Sequence, residues 1–276
     1  MFDTAEPGQF VLVDTGPERA LRRPFSVAGV TADGDVELLI ALRGDGTRAL
    51  ADLPVGSLLT IMGPLGRGFM PPASRRAAHV APHAAGATQG ASEAAPWSPD
   101  ADPWSPEAAP WSTEAPPAAV VVAGGIGVAG VRFLVQRLSS AGTTATLFVG
   151  ARTGDTLLHT TLPEPDAVHL ATDDGTMGFR GTVCDLFAAE SATLPVNTKI
   201  YGCGPRAMLD SLSAIADERG MACELSLEEM MACGVGACRG CVVSTVDGYR
   251  TVCKDGPVFD ASVLVPERCV IEVADG

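Results

Sequence analysis

Three cysteines lie in the glycine-rich run ACGVGACRGC, residues 232–241, and a fourth follows in TVCKDGPVF. Cys233, Cys238, Cys241 and Cys253 have the spacing C-x4-C-x2-C-x11-C. The first part of this spacing is typical of plant-type [2Fe–2S] sites. Because three ligands on one loop must wrap around a cluster, glycines between them let the backbone bend and bring its N–H groups close to the sulfurs. The pattern therefore predicts that these four cysteines hold a [2Fe–2S] cluster.

A zinc site and a set of disulfides stay open as alternatives for these cysteines. A zinc site more often uses two separated C-x2-C pairs, whereas only Cys238 and Cys241 form such a pair here. Disulfides are disfavoured where thiols stay reduced. We interpret the remaining four cysteines as small buried apolar side chains: Cys184, Cys203, Cys223 and Cys269.

Composition excludes several classes of protein. The net charge of −14 argues against a nucleic-acid surface, and two lysines, Lys199 and Lys254, cannot form a polybasic membrane patch. The start of the chain has neither the basic nor the apolar region of a signal peptide. The longest uncharged run, 116–131, is too short to span a bilayer. We therefore expect a cytoplasmic protein that binds neither nucleic acid nor membrane.

The chain divides into four segments by composition. Residues 1–70 read as short strands between Gly, Pro and Asp turns, with no helical periodicity, which predicts a small β-barrel. Residues 71–117 are rich in Ala, Pro and Ser and carry Trp97, Trp104 and Trp111 at seven-residue intervals. Because prolines between the tryptophans forbid a helix, we predict a disordered insertion there.

The second half of the chain predicts a different architecture. Residues 118–220 alternate apolar strands with helices, which indicates an open parallel α/β sheet. Residues 221–276 form a small cysteine-bearing module. The predicted fold class is thus multidomain, with a β-barrel, an α/β domain and a C-terminal cluster module.

Four short motifs carry weaker signals. AGGIG (123–127) and YGCGPRAM (201–208) each join a strand to a helix, where free N–H groups suit a pyrophosphate, and Pro205 suits a first helical position. In RRPFS (22–26), Arg23 can hold a phosphate and Ser26 can hydrogen-bond a ring system. GDGTR (44–48) is interpreted as a turn with a hydroxyl at Thr47. AGGIG taken alone fits an ordinary turn equally well, and YGCGPRAM adds weight to nucleotide binding. RRPFS and GDGTR, taken singly, fit a solvated strand end or an ordinary turn better than a binding site.

Taken together, these motifs resemble one family. The segments PGQFVLV, RRPFSV, GPLGRGF, AGGIGVAG, ATDDGTMGFRGTV, YGCGPRAML and LEEMMACGVGACRGCVV…TVCKDGPVF are similar to the electron-transfer subunits of type B dihydroorotate dehydrogenase, within the ferredoxin–NADP reductase superfamily. The resemblance covers everything except the insertion, and VCKDGPVF is its most specific part. It differs at the start, where the first barrel strands usual in the family are missing, so we expect a missing N-terminus.

The resemblance implies the cofactors and the residues that hold them. FAD would bind the barrel at Arg23, Pro24, Phe25, Ser26, Leu39, Ile40, Ala41, Gly46 and Thr47. NAD would bind the α/β domain at Gly124, Gly125, Gly127, Cys203, Gly204 and Pro205. The [2Fe–2S] ligands would be Cys233, Cys238, Cys241 and Cys253, and no acid–base catalytic residue is implied.

The resemblance also implies a function and a partner. Electrons would pass from the FMN of a dihydroorotate dehydrogenase catalytic subunit through the cluster and FAD to NAD, in pyrimidine biosynthesis, within a heterotetramer of two copies of each subunit. Two further hypotheses stay open. One is a reductase that links NAD(P)H to ferredoxin or sulfur acceptors, and the other is a zinc-stabilised interaction module without enzymatic activity.

Overall fold

The computed structural model describes residues 2–16, 21–72, 118–163, 167–195 and 197–266. Residues 73–117, which contain almost all of the predicted insertion and its tryptophans, lie outside the described residues, and so does Cys269. The described residues contain a four-stranded sheet and a seven-stranded sheet, and the cysteine loop is close to both.

The N-terminal segment forms an antiparallel sheet of four strands. These are β1 (Phe10–Val13), β2 (Arg23–Val30), β3 (Val36–Leu38) and β4 (Ile61–Leu65), in the order β3–β2–β1–β4. We call it the small sheet. Within the described residues β3 and β4 are its two edges. β3 ends at Leu38, and the predicted strand residues 39–41 follow it.

One prediction for this segment was wrong. The GDGTR motif was interpreted as a turn, but it opens helix α1 (Asp45–Ala51). Gly44 is extended at the N-cap, with φ −151°, and the Thr47 hydroxyl accepts hydrogen bonds from the N–H groups of Arg43 and Gly44 at 2.9 and 3.2 Å. Leu50 then packs against the core of the small sheet. Helix formation here depends on capping and burial, which a Gly-Asp-Gly sequence does not reveal.

The second half of the chain alternates strands and helices, as predicted. The elements in chain order are β5 (Ala119–Gly124), α2 (Val128–Ser140), β6 (Ala145–Ala151), β7 (Ala167–Thr172), β8 (Phe179–Arg180), α3 (Val183–Glu190), β9 (Lys199–Cys203), α4 (Arg206–Glu218) and β10 (Ala222–Ser226). These six strands are parallel neighbours. All of β5 and β9 is buried, because helices cover both faces of such a sheet.

The C-terminal elements return to the same sheet. After the cysteine loop come β11 (Val242–Thr245), β12 (Gly248–Thr251), α5 (Val252–Asp255) and β13 (Val258–Asp260). β11 and β12 form a separate hairpin, whereas β13 pairs antiparallel with β10. The large sheet therefore has the order β13–β10–β9–β5–β6–β7–β8. It continues past the predicted domain boundary at residue 220, because both β10 and β13 belong to it.

Helix α2 joins the small sheet to the large sheet. Phe133 of α2 is buried in the small-sheet core with Val11, Val13 and Val27. Arg132, one residue earlier, donates hydrogen bonds to the carbonyl oxygens of Ala28 and Thr161, both at 2.9 Å. The other face of α2 packs on the core of the large sheet. The two sheets thus share one helix, which fixes β2 beside the parallel strands.

Among the described residues no helix is both long and apolar enough to cross a membrane.

We predict that residues 72–116 are dispensable, because their composition cannot bury a core. Replacing them with a short Gly/Ser linker should leave the free energy of unfolding within about 1 kcal/mol of wild type, since shortening a loop changes closure entropy slowly. Chemical denaturation and flavin content measure the result. Phe69→Ala, at the same boundary, is the positive control, because its ring is completely buried and its loss should cost about 3 kcal/mol. A deletion as damaging as Phe69→Ala would contradict the prediction.

Candidate redox site

The four predicted cluster cysteines lie around one loop that joins β10 to the β11–β12 hairpin. Cys233 is half-buried and Cys238 is exposed, whereas Cys241 and Cys253 are each 2% exposed. Cys253 comes from α5, on the other side of the hairpin. The set therefore has an outer pair, Cys233 and Cys238, and an inner pair, Cys241 and Cys253.

Backbone N–H groups point at the thiols. Gly236 N donates to Cys253 Sγ at 3.1 Å, Cys238 N to Cys233 Sγ at 3.4 Å, and Cys253 N to Cys241 Sγ at 3.4 Å. The N–H of Cys238, followed by that of Val235, lowers the pKa of Cys233 to about 6. Burial, followed by the Cys241 thiol, raises the pKa of Cys253 to about 12. The loop already provides the hydrogen bonds that sulfur ligands of a cluster accept.

At two positions in the loop, no residue other than glycine fits the backbone. Gly234 has φ +72°, and a Cβ there would lie 2.5 Å from Leu12 Cδ1. Gly236 has φ +79°, and a Cβ there would lie 2.9 Å from Lys254 Cδ. Arg239, between two cysteines, also has a positive φ of 53°. This coiled backbone brings its N–H groups inward, which fits the requirement of a [2Fe–2S] cluster.

As the side chains stand, no group of three or more His, Cys, Asp or Glu residues in the described part of the chain is arranged to hold a metal ion. The seven cysteines among the described residues are all free. The fit to a cluster therefore rests on the spacing, the partly accessible outer pair and the N–H donors of the loop.

The cysteines outside this loop have different surroundings. Burial raises the pKa of Cys184 to about 11 and that of Cys203 to about 12, and it raises the pKa of Cys223 further. All three thiols are buried and protonated at neutral pH, which agrees with their interpretation as small apolar side chains.

The two glycine-rich turns predicted to bind a nucleotide, in AGGIG (123–127) and YGCGPRAM (201–208), lie side by side. We call them the nucleotide turns. A Cβ on Gly127 would lie 2.2 Å from the Cys203 carbonyl oxygen, and one on Gly204 would lie 3.0 Å from Gly124 N. Gly125 has φ +54° and opens a 3₁₀ turn that leads into α2. Pro205, which we predicted at the first helical position, is instead the N-cap of α4, one position before Arg206. β5 and β9 are adjacent parallel strands, so both turns face the crevice where nucleotides bind in such sheets.

The predicted flavin residues are divided between β2 and the segment that follows β3. On β2, Arg23 is exposed, and Pro24, Phe25 and Ser26 are half-buried. Leu39, Ile40 and Ala41 are half-buried, with Leu39 packed against the large-sheet core, while Gly46 and Thr47 lie on α1. Ser26 comes close to the nucleotide turn, because a Cβ on Gly130 of α2 would lie 3.5 Å from Ser26 Oγ and 2.7 Å from Cys203 Sγ.

A cavity of about 150 Å³ beside this junction contains an acidic residue that sequence reasoning missed. It lies between the Gly204–Arg206 turn and Leu227–Glu229. Desolvation raises the pKa of Glu228, and the Arg43 guanidinium partly offsets this effect. The Glu228 carboxylate also contributes to the raised pKa of Cys203. Glu228 lies in the segment LEEMMACGVGACRGCVV, which precedes and includes the cysteine loop, but no pattern in it marked this carboxylate as a site residue.

The cysteine loop also contacts the small sheet. The close neighbours of Gly234 are Leu12 of β1 and Leu65 of β4, whose Cδ1 would lie 3.3 Å from an added Cβ. After β4, Arg67 N donates to the Gly256 carbonyl at 2.5 Å, in the segment that follows Cys253. The small sheet therefore touches the cysteine loop on one side and the nucleotide turns on the other.

Comparisons with known proteins agree with this geometry. Residues 228–265 match the family model described as the iron-sulfur cluster binding domain of dihydroorotate dehydrogenase B. The chain is 33% identical over 269 residues to the dihydroorotate dehydrogenase B (NAD(+)) electron transfer subunit of Shouchella clausii, covering 95% of this chain and 87% of that protein. The corresponding subunit of Desulforamulus reducens is 34% identical over 272 residues, covering 95% and 88%. The chain belongs to this family of electron transfer subunits.

Solved structures support the fold. An NADH-dependent reduced ferredoxin–NADP oxidoreductase is similar with a TM-score of 0.71 and 22% identity, covering 95% of this chain and 80% of that chain. The ferredoxin reductase of carbazole 1,9a-dioxygenase is similar with a TM-score of 0.54 and 20% identity, covering 78% and 56%. The predicted family and fold class are confirmed.

Replacing Cys238 by Ser should abolish the cluster, because a hydroxyl is a poor substitute for one of four thiolate ligands. Anaerobically purified wild-type protein should be red-brown with about two irons per chain, and the variant should lack the visible absorption of the cluster. Iron analysis and visible absorption measure this. Cys184→Ser is the matched control and should keep its iron. Stoichiometric zinc in the wild type without cluster absorbance would contradict the prediction.

Proposed function

We propose that the chain is the electron-transfer subunit of a dihydroorotate dehydrogenase B. It carries electrons from the FMN of a catalytic subunit through a [2Fe–2S] cluster and FAD to NAD⁺, in de novo pyrimidine biosynthesis. Family membership over 95% of the chain supports this proposal. So does the domain order, since the small sheet, the α/β sheet and the cysteine loop follow one another as the resemblance implies.

The observation that carries the proposal is the central position of the small sheet. Ser26 of β2 lies next to Gly130 and Cys203, where the nucleotide turns meet. Leu12 of β1 lies against Gly234 of the cysteine loop. β1 and β2 are neighbours, with Leu12 opposite Pro24. A flavin held on β2 would thus be next to both the nucleotide crevice and the cysteine loop.

The roles of the residues follow from this arrangement. FAD supplies the exchange between hydride and single electrons, because nicotinamide carries two electrons and a [2Fe–2S] cluster one. We assign Arg23, Pro24, Phe25 and Ser26 to flavin binding, together with Leu39–Ala41, Gly46 and Thr47. Gly124, Gly125, Gly127, Cys203, Gly204 and Pro205 would hold NAD, and Cys233, Cys238, Cys241 and Cys253 the cluster. Thr47 would act mainly by capping α1, since its hydroxyl is already used there.

The catalytic partner would bind beside the cysteine loop. Five exposed apolar side chains lie on the cysteine loop and on the β11–β12 hairpin that follows it, and we call them the cluster face: Met230, Val235, Val242, Val246 and Tyr249. Met230 and Tyr249 are 85% and 81% exposed. Apolar side chains grouped on a surface mark protein interfaces, and Tyr and Met are enriched in them. We further propose a heterotetramer with two copies of each subunit.

A cytoplasmic location is part of the proposal. It is supported by the proposed use of four cysteines as cluster ligands, because such ligands must not be oxidised to disulfides and thiols remain reduced in the cytosol.

The isolated chain should not oxidise dihydroorotate, because that reaction needs an FMN-bearing catalytic subunit. NAD⁺ reduction should therefore appear only when the catalytic subunit is added to this chain and dihydroorotate. Absorbance of NADH at equal concentrations of both subunits measures it. Activity of the chain alone would contradict the proposal. No gain on mixing, together with NADH-dependent reduction of ferredoxin, would favour the ferredoxin-linked reductase instead.

Tyr249→Asp on the cluster face should raise the Kd for the catalytic subunit at least about tenfold, because a charge would be desolvated at the interface. Iron and flavin contents should stay at wild-type values, since the side chain is exposed in the isolated chain. Val55→Asp is the matched control: Val55 is at least as exposed but lies between α1 and β4. Subunit titration by calorimetry compares the two. An equal effect of both substitutions would contradict docking at the cluster face.

A further inference from the structure

A buried ion pair on the large sheet has no role in the proposed function. Lys199 of β9 and Glu224 of β10 have side chains that are only 4% and 3% exposed, and Lys199 Nζ lies 3.3 Å from Glu224 Oε2. Lysine and glutamate are almost never buried to this extent unless they are paired. A buried pair contributes little net stability compared with apolar side chains of similar size, so stability alone is a weak reason for its presence.

The pair holds the chain at the exit of the small sheet. Met70 N donates to Glu224 Oε2 at 2.9 Å. The Met70 carbonyl oxygen accepts from Lys199 Nζ at 3.1 Å and from the Tyr201 hydroxyl at 2.8 Å. Both polar groups of the Met70 peptide backbone are therefore bound by side chains of the large sheet. Lys199 Nζ also reaches the Pro71 carbonyl oxygen at 3.4 Å.

The neighbouring ring contact strengthens this attachment. Phe69 is completely buried and meets the Tyr201 ring edge-on, with the centroids 5.5 Å apart. Tyr201 is itself completely buried, and its ring lies 5.2 Å from Lys199 Nζ. We call Lys199, Tyr201 and Glu224 the exit clamp. It anchors residues 69–71 across β9 and β10, whereas α2 anchors the small sheet at β2.

The position of the exit clamp connects it to electron transfer. Tyr201 lies two residues before Cys203 on β9, and Glu224 lies four residues before Glu228. The clamp therefore lies on the two strands that lead to Cys203, at the end of β9, and to Glu228, two residues after the end of β10. Gly66, just before the clamped segment, has φ +77° and accepts a hydrogen bond from Gln9, which precedes β1. Movement of residues 69–71 would therefore be transmitted to β4 and β1.

We propose that Lys199, Tyr201 and Glu224 are positioning residues for hydride transfer. By holding Met70 and Pro71, they fix the small sheet, and hence the flavin of the proposed function, relative to the nucleotide crevice. They act through the backbone and do not touch either cofactor-binding turn. Because the proposal rests on the proposed function, its test needs a readout that does not depend on activity.

The main variant is Lys199→Met/Glu224→Leu, which removes both charges and leaves neither partner buried alone. We expect its unfolding temperature to stay near that of wild type. Hydrogen–deuterium exchange of the peptide containing residues 66–72 should be at least about tenfold faster, because the Met70 amide loses its acceptor. In anaerobic stopped flow, the limiting rate of flavin reduction by NADH should fall at least about tenfold. The Kd for NADH should change less than about twofold, since the nucleotide turns are intact.

Tyr201→Phe is a second, milder variant that keeps the ring contact with Phe69 and removes only the hydroxyl donor. It should show the same split between limiting rate and Kd, with a smaller loss of about threefold. It also keeps the proposal testable if the double variant does not fold. Glu190→Gln is the matched control. It removes the charge of a half-exposed carboxylate on α3 that lies 2.7 Å from His169 Nδ1 on β7, and it should change none of these quantities.

The outcomes are distinct. Faster exchange with an unchanged limiting rate, in either variant, would show that the clamp only attaches the segment, and would overturn the positioning role. If hydrogen–deuterium exchange of the peptide containing residues 66–72 were unchanged in the double variant, the clamp itself would be overturned. A wild-type protein that holds flavin but is not reduced by NADH would instead contradict the proposed function, while the exchange result would still decide whether the clamp exists.

Discussion

Helix α2 can reach both sheets only because Gly127 and Gly130 carry no side chain. Added Cβ atoms would lie 2.2 Å from the Cys203 carbonyl oxygen and 2.7 Å from Cys203 Sγ, which are distances that real atoms do not adopt. This close approach allows Phe133 to enter the small-sheet core while Val131 and Leu134 enter the core of the large sheet. One helix is thus buried on two faces, and this contact places β2 beside the parallel strands of the large sheet.

Glycines also allow close backbone packing around the cysteine loop. Gly234 and Gly66 bring backbone against the small sheet and against the segment after Cys253. The result is a gradient of exposure, with the inner cysteines in the core and the outer ones at the surface. Such a gradient suits a group that must be shielded from water on one side and approached by another protein on the other.

Sequence patterns predicted those features whose signal is local. The cysteine spacing, the apolar runs of β5 and β9 and the glycine-rich turns are all visible within about ten residues. Helix α1 was missed because Gly44–Gly46 reads as a turn, and its burial against the small sheet is a long-range effect. The surroundings of Glu228, Lys199 and Glu224 depend on how β10 pairs with its neighbours. Glu224, for example, lies opposite Tyr201 in the pairing of β10 with β9. No single-sequence pattern contains that information.

Strand β13 has a consequence for how the protein must be made. Its three residues cover β10, which would otherwise be the edge of the large sheet, and they follow directly on the segment that contains Cys253. An uncovered edge strand offers free N–H and C=O groups to other chains and promotes aggregation. A newly synthesised chain whose cysteine segment has not folded therefore exposes β10 as an edge strand that can pair with other chains.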